Sequence, residues 1–319
     1  MADLRGSENA FAPHSVRGTM VALAAPPTPL PKTSPVGPLP PGIEERLVRA
    51  GDIQFRYLTN TKRGTTTGRD ATILFLHGYP TWAEVWLPLA GQLGERHPWI
   101  APDLPCHNRS ATFSGKDRSV SAYRRAIGSF FDAMRFQKAI LIGSSLGGTL
   151  GIMLALDRPE KVDRLIVLDS AGLTPTVPKK TVRLYAPFVL PAYVRHPRAK
   201  HVRRLLQRAV FHDPRYADEA WVETIVEQWK PRSRRAAFIA TGNALRRPDA
   251  SVARDLEQVH ARTLVVWGRQ DPQFDWQIGE AAARRIPGGK FAAIESCGHF
   301  PMVEKPVETA EIVSDFLES

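Results

Sequence analysis

The segment Gly143-Ser144-Ser145-Leu146-Gly147 constrains this chain more than any other stretch of its sequence. Ahead of it runs Lys138-Ala-Ile-Leu-Ile142, a short apolar stretch of strand type. Behind it the residues from Gly148 to Asp157 suit a helix. A serine on a sharp strand-to-helix turn is held in a strained backbone, with its hydroxyl pushed clear of its neighbours. Glycines two residues to either side remove the Cβ atoms that would collide there. The helix start also aims backbone N–H groups at any negative charge that forms beside the serine. Gly-x-Ser-x-Gly alone is a common chance match, and a buried Gly/Ser turn is the plain alternative. A strand before it and a helix after it mark Ser145 as a nucleophile.

A serine hydroxyl reacts poorly unless a base takes its proton, so the chain must supply one. Residues 262–267 read as a buried strand, followed by Gly268-Arg-Gln-Asp271-Pro272. Residues 290–295 read as another, followed by Ser296-Cys-Gly-His299-Phe-Pro301. The order along the chain is therefore Ser145, Asp271, His299, with His299 as the base and Asp271 fixing its tautomer. A lone histidine after a strand is more often a surface or capping residue, but three elements in this order speak against that here. Asp169, at the end of the strand 162–169, is a rival for the acid. The Gly-Arg-x-Asp setting favours Asp271.

On these residues the chain resembles the α/β-hydrolase superfamily, in the capped branch that includes small-molecule esterases, carbon–carbon bond hydrolases, haloalkane dehalogenases and epoxide hydrolases. The resemblance runs over roughly residues 43–319 and includes Leu76-His77-Gly78-Tyr79-Pro80 after an apolar strand. It also includes Pro102-Asp-Leu-Pro-Cys-His-Asn-Arg-Ser110, similar to the family's Asp-x-x-Gly-x-Gly-x-Ser loop. Cys106 and Asn108 stand where glycines are usual; asparagine tolerates a left-handed backbone, and cysteine is not expected to. The resemblance implies a mostly parallel central sheet with helices on both faces and an inserted helical cap. It also implies an oxyanion hole made by the backbone N–H groups of Tyr79 and Leu146, whose side chains are left to shape the pocket. Losing one such donor typically costs ~3 kcal/mol of barrier. His77 is expected to brace its loop and take no part in the chemistry. Ser145 occupies the place where dehalogenases and epoxide hydrolases use an aspartate, which excludes both.

The rest of the sequence fits this architecture. Residues 1–42 form a proline-rich leader, with eight prolines between Pro26 and Pro41, and read as a flexible tail or linker. The piece Met20-Val-Ala-Leu-Ala-Ala25 is too short for a secretory core, and Asp3 and Glu8 argue against an organelle-targeting peptide. A hairpin is predicted from Glu45–Arg49 and Ile53–Tyr57. Strands then alternate with helices predicted near 82–95, 119–134, 146–157, 275–285 and 306–318. The core is assigned to 43–171 and 248–319, and the cap to 172–247, whose aromatic residues include Tyr185, Phe188, Tyr193, Phe211, Tyr216, Trp221, Trp229 and Phe238. Most of these would form the cap's own core, and a few would face the substrate.

Cys106 and Cys297 are the only cysteines, so no disulfide framework is expected and a cytoplasmic location is. No apolar run approaches the ~18 residues of a membrane span. No side-chain cluster has metal-ligand spacing and no Gly-rich phosphate loop precedes a helix, so neither metal nor cofactor is expected. Of the formal net charge of +11, residues 171–250 supply nearly all, with sixteen Lys or Arg against six Asp or Glu. A basic cap suits an anionic small-molecule substrate or peripheral contact with an acidic membrane; a solvated surface is the plainer account. Without a recognised binding motif, no nucleic-acid partner is expected. Carboxylic-ester hydrolysis leads the functional expectations, carbon–carbon bond hydrolysis of a vinylogous diketone follows, and a ligand receptor on a hydrolase fold is the reading from another class.

Overall fold

The computed structural model describes residues 39–61, 72–179 and 194–319. The leader up to residue 38, and Tyr185, Phe188 and Tyr193, lie outside the described residues. The predicted hairpin is formed by β1 (Glu44–Ala50) and β2 (Ile53–Thr59), antiparallel, with Ala50 opposite Ile53 and Gly51 in the turn at φ 60°. The chain continues through β3 (Thr72–Leu76), α1 (Leu87–Leu93), β4 (Trp99–Pro102), α2 (Val120–Ala133), β5 (Ala139–Ser144), α3 (Leu146–Asp157) and β6 (Val162–Leu168). Helices α4 (Ala199–Ala209), α5 (Glu219–Trp229) and α6 (Arg232–Ala244) follow, in the stretch predicted as a cap. The last elements are β7 (Arg262–Gly268), α7 (Trp276–Arg285), β8 (Lys290–Ile294), α8 (Pro301–Glu304) and α9 (Pro306–Glu318).

The eight strands form one sheet in the order β1-β2-β4-β3-β5-β6-β7-β8. β2 pairs antiparallel with β1 and β4, and every pair from β4 across to β8 is parallel. Every residue of β3 and β5 is buried, as continuous apolar runs covered on both faces must be. α3 is apolar all round (LGGTLGIMLALD), so it sinks into the middle of the molecule. α2 is amphipathic and starts where the Ser119 side chain accepts a hydrogen bond from Ala122 N–H. The chain adds β4 on one side of β3 and β5 on the other, so the strand order reverses there. The carboxyl ends of the strands beside such a reversal leave a crevice, and in this chain they carry Tyr79, Ser145 and, farther along, Asp271 and His299. Among the described residues no helix is long and apolar enough to cross a membrane.

A buried charge cluster ties the hairpin to this sheet end. Arg56 of β2 is 2% exposed and grips Glu84 with both terminal nitrogens, at 2.9 and 2.7 Å. It also reaches Glu45 at 3.0 Å and Asp103 at 3.3 Å. Asp103 in turn accepts from Ala83 N–H and from the Asn108 side chain, both at 2.9 Å. These bonds shape the loop after β4, in which Cys106 has φ 69° and Asn108 φ 40°. The expectation that cysteine would resist this conformation is therefore overturned. Cys106 N–H donates to Ala111 and the Ser110 hydroxyl to Asp103, so the surroundings impose the turn. Cys106 and Cys297 are both buried and unpaired.

Removing Arg56 leaves two buried carboxylates, Glu84 and Asp103, without their cation. Arg56→Met should lower the unfolding free energy by about 3–5 kcal/mol in urea titrations. Arg124→Met, which breaks only the half-exposed pair with Asp157, should cost less than about 1 kcal/mol.

Candidate active site

Ser145 joins β5 to α3 with φ 53° and ψ −117°, a conformation that side chains rarely adopt. The glycines around it are required by contact. A Cβ on Gly147 would lie 1.9 Å from the Leu76 carbonyl oxygen, and one on Gly143 would lie 2.3 Å from that of Gly147. The turn is pinned to β6, since Ser145 N–H donates to Leu168 and Ala171 N–H donates to the Ser145 carbonyl. Leu146 opens α3, whose first backbone N–H groups have no acceptor within the helix. Its side chain is fully buried and does not line the cleft, contrary to expectation, whereas Tyr79 does line it. The Tyr79 ring stacks on Phe238 at 4.1 Å and its hydroxyl donates to the Phe238 carbonyl at 3.1 Å, so it joins the sheet to α6.

His77 is placed as a brace. Its Nδ1 donates to the Gly78 carbonyl and its Nε2 accepts from Leu104 N–H, both at 2.8 Å. Burial, helped by the charge of Arg56, lowers its pKa to about 4, so the ring is neutral and can accept.

Of the two acids left open by the sequence, Asp271 is the one bonded to His299. His299 Nδ1 donates to Asp271 Oδ2 at 2.9 Å, and Gln273 N–H donates to Asp271 Oδ1 at 2.7 Å. Asp169 instead accepts from Gly268 N–H at 3.0 Å. The His299 ring lies between Phe274 and Phe300, with centroids 5.6 and 5.4 Å away. Its Nε2 is buried and makes no hydrogen bond, so that lone pair is uncommitted. Asp169, Asp271 and His299 are the described residues that bring three donor atoms within 4.8 Å of one another. Within this group His299 and Asp271 stand at hydrogen-bond distance, and Asp169 lies beside them. Metal-ligand spacing could not have shown this group, since its members come from three separate loops.

A cleft opens beside Ser145, with about 730 Å³ of empty space that includes open solvent at its mouth. Gln273 and Phe274 form part of its wall, with Val177, Pro178 and Leu245 on the side of the predicted cap. Arg246 and Arg247 also line it, and among the described residues no acidic one does. The densest basic runs, at 195–204 and 230–235, contribute nothing to the lining among the described residues. Arg203 is bound to Glu219 and to the Ala217 carbonyl, and Arg215 to Asp213. Density of charge therefore does not pick out the arginines that line the cleft, which lie just before the chain re-enters the sheet.

Sequence reasoning also missed Glu304. This buried carboxylate accepts N–H bonds from Gly298 and His212 at 2.9 Å and from Asp213 at 3.1 Å. It thereby ties the loop carrying His299 to the segment that follows α4, where Val210 accepts from His299 N–H at 2.8 Å. Burial raises the Glu304 carboxyl from 4.5 to about 7, against the lowering effect of the three N–H groups. A carboxyl whose folded pKa is raised holds its proton more tightly in the folded chain. Its contribution to stability is complete below about pH 4.5 and is lost as the pH rises through about 7. Thermal unfolding should accordingly show the wild type losing ground to Glu304→Gln between about pH 5 and pH 7.5. Parallel pH curves would assign the slope elsewhere.

The alpha/beta hydrolase family profile matches residues 73–312. Among curated relatives, monoacylglycerol lipase ABHD6 of Bos taurus is 25% identical over 287 residues, covering 87% of this chain and 83% of its own. A bacterial membrane phospholipase A, described as a virulence factor, superposes with a TM-score of 0.74 at 25% identity, over 87% of this chain and 86% of its own. The 2-hydroxy-6-oxo-6-phenylhexa-2,4-dienoate hydrolase of Rhodococcus sp. strain RHA1 gives a TM-score of 0.75 at 18% identity, over 87% and 99%. That last likeness is one of fold.

Proposed function

The chain belongs to the α/β-hydrolase family, and from that premise we propose that it is a serine hydrolase cleaving a small-molecule carboxylic ester through an acyl-enzyme. The observation that carries this is the 2.9 Å bond from His299 Nδ1 to Asp271, which leaves Nε2 uncommitted in a site whose cleft is lined by Ser145. Ser145 attacks the ester carbonyl while His299 Nε2 takes the hydroxyl proton. Asp271 holds the imidazole tautomer and balances the imidazolium that forms. The oxyanion develops against the backbone N–H groups of Tyr79 and Leu146. His299 returns the proton to the departing alcohol, then activates the water that releases the acid. Helices α4 to α6 act as the cap over this chemistry.

The names of the bovine lipase and the bacterial phospholipase favour ester cleavage. The mostly apolar cleft suits an acyl chain or aromatic group, and Arg246 suits an anionic group on the same molecule. Its guanidinium has no hydrogen-bond or ion-pair partner among the described residues. The same cation would suit the carboxylate of a ring-fission dienone, so carbon–carbon bond hydrolysis is the alternative that shares these residues. The two unpaired cysteines favour a cytoplasmic setting.

An alkyl fluorophosphonate should label Ser145, and Ser145→Ala should lose labelling and nearly all turnover while unfolding at the wild-type temperature. Asp271→Asn should lower kcat by about 10⁴. Turnover of p-nitrophenyl esters without turnover of the dienone supports the ester; the reverse assigns the alternative. Undiminished activity in Ser145→Ala would remove both.

For the anionic group, Arg246→Gln should raise KM for an acidic ester by about tenfold, the worth of one charge-assisted hydrogen bond, and leave a neutral ester of like shape unchanged. Equal effects on the two esters would return Arg246 to the surface.

A further inference from the structure

Asp169 is a buried acid that the proposed chemistry does not use, although it lies against it. It follows the last residue of β6, is 0% exposed, and has φ 45°, a left-handed conformation that aspartate tolerates better than most residues. Its backbone N–H donates to Val266 at 3.1 Å and its Oδ1 accepts from Gly268 N–H at 3.0 Å, so its position is fixed by β7. One of its carboxyl oxygens, one of Asp271 and a ring nitrogen of His299 all lie within 4.8 Å of one another. Asp169 Oδ2 is buried and receives no hydrogen bond.

Two carboxyl groups this close in a buried site disfavour each other's ionisation, because like charges repel where little water screens them and burial penalises each charge as well. The hydrogen bonds decide which one keeps the proton. Asp271 accepts N–H donors on both oxygens, from Gln273 and from His299. Asp169 accepts on Oδ1 and leaves Oδ2 without a donor. We propose that Asp169 is an un-ionised carboxylic acid at neutral pH, and that it is a positioning residue whose Oδ2–H donates to the Asp271 carboxylate that holds His299. This rests on the assignment of Asp271 and His299 as acid and base.

The electrostatics agree with the geometry. Burial first, and then the negative charge of Asp271, hold the Asp169 carboxyl well above the usual carboxylate range, against the lowering effect of Gly268 N–H. The other titratable groups around it are Glu304 of α8 and Cys297 in the loop after β8, and burial raises both. The arrangement has a chemical consequence. A neutral Asp169 steadies Asp271 without adding a second charge beside His299. A second carboxylate there would over-stabilise the imidazolium and hold His299 in the form that cannot act as a base.

The direct test is difference infrared spectroscopy of the full chain near pH 8. Wild type minus Asp169→Asn should show the carbonyl stretch of an un-ionised carboxylic acid. Because the asparagine amide is also a neutral donor, kcat should stay within about threefold and the acidic limb of the kcat/KM profile should not move. Asp169→Ala, which removes the donor, should lower kcat by about tenfold with little change in KM. Absence of the carboxylic-acid band, or a downward move of the acidic limb by a pH unit or more in Asp169→Asn, would show that Asp169 carries charge and overturn the proposal. Should Asp169→Asn fail to fold, the band can be followed in Asp271→Asn. There the Asp169 band should titrate away at lower pH than in the wild type, and an unmoved titration would overturn the coupling. The infrared readout does not depend on turnover, so it remains decisive even if Ser145 proves inert and the ester hydrolase proposal fails.

Discussion

Backbone meets backbone where α3 begins, and the rest of the site depends on that contact. Gly147 presses against the end of β3 so closely that no Cβ fits, and Gly143 does the same against Gly147. Ser145, between them, has no way to relax from its positive φ, because its N–H is bound to β6 and its carbonyl receives Ala171 N–H. Strain of this kind costs of order 1–3 kcal/mol and persists only where the surroundings over-determine the geometry. The apolar α3 supplies that determination, since every face of it except the last turn is packed. The same contact brings the ends of β3, β5 and β6 together, which places Tyr79 and Asp169 within reach of one crevice.

A second set of bonds fixes the histidine. Glu304 gathers three N–H groups from two chain segments, and Val210 accepts a fourth from His299 itself. Aromatic packing continues the connection. Phe300 lies against His299, Phe211 and Trp221, and Trp221 packs on Trp82 at 5.3 Å. The loop bearing His299 and the segment between α4 and α5 are thus one hydrogen-bonded and packed unit. Movement of those helices would be felt at the ring. Three carboxyl groups, Asp169, Asp271 and Glu304, are buried along this line, and each answers the desolvation problem differently. Asp271 collects N–H donors on both oxygens, Glu304 collects three with its pKa still raised, and Asp169 is raised well above the usual range.

Charge on the predicted cap has two distinct parts. The arginines of α4 and its surroundings largely answer neighbouring acids and carbonyls or face solvent, as Arg203 and Arg215 do. Arg246 and Arg247 are fewer but line the cleft, where the surroundings are apolar and a single cation counts for more. The long-range field of the first group and the short-range contact of the second are separate effects. Salt screens the first beyond about 8–10 Å and weakens the second much less.

The sequence by itself determined the strand, turn and helix around Ser145, the hairpin at Glu44–Thr59, the helices α1 to α3, α7 and α9, and the order Ser145, Asp271, His299. All of these are written in local patterns: apolar periodicity, turn glycines, and a proline such as Pro306 at a helix start. The Gly-Arg-x-Asp setting favours Asp271, but only the tertiary structure supplied the bond from His299 to it, because Asp169 and Asp271 follow adjacent parallel strands and their positions relative to the ring depend on register and loop shape. It also gave Cys106 a backbone conformation its residue type disfavours, through bonds that converge on Asp103 and Ala111. The same holds for Glu304, for Arg246, and for the contact between β6 and β7 that joins Asp169 to Gly268 across 99 residues. Local sequence fixes what each segment can become. The order in which strands lie in the sheet fixes which segment ends meet, and the buried carboxylates exist only at those meetings.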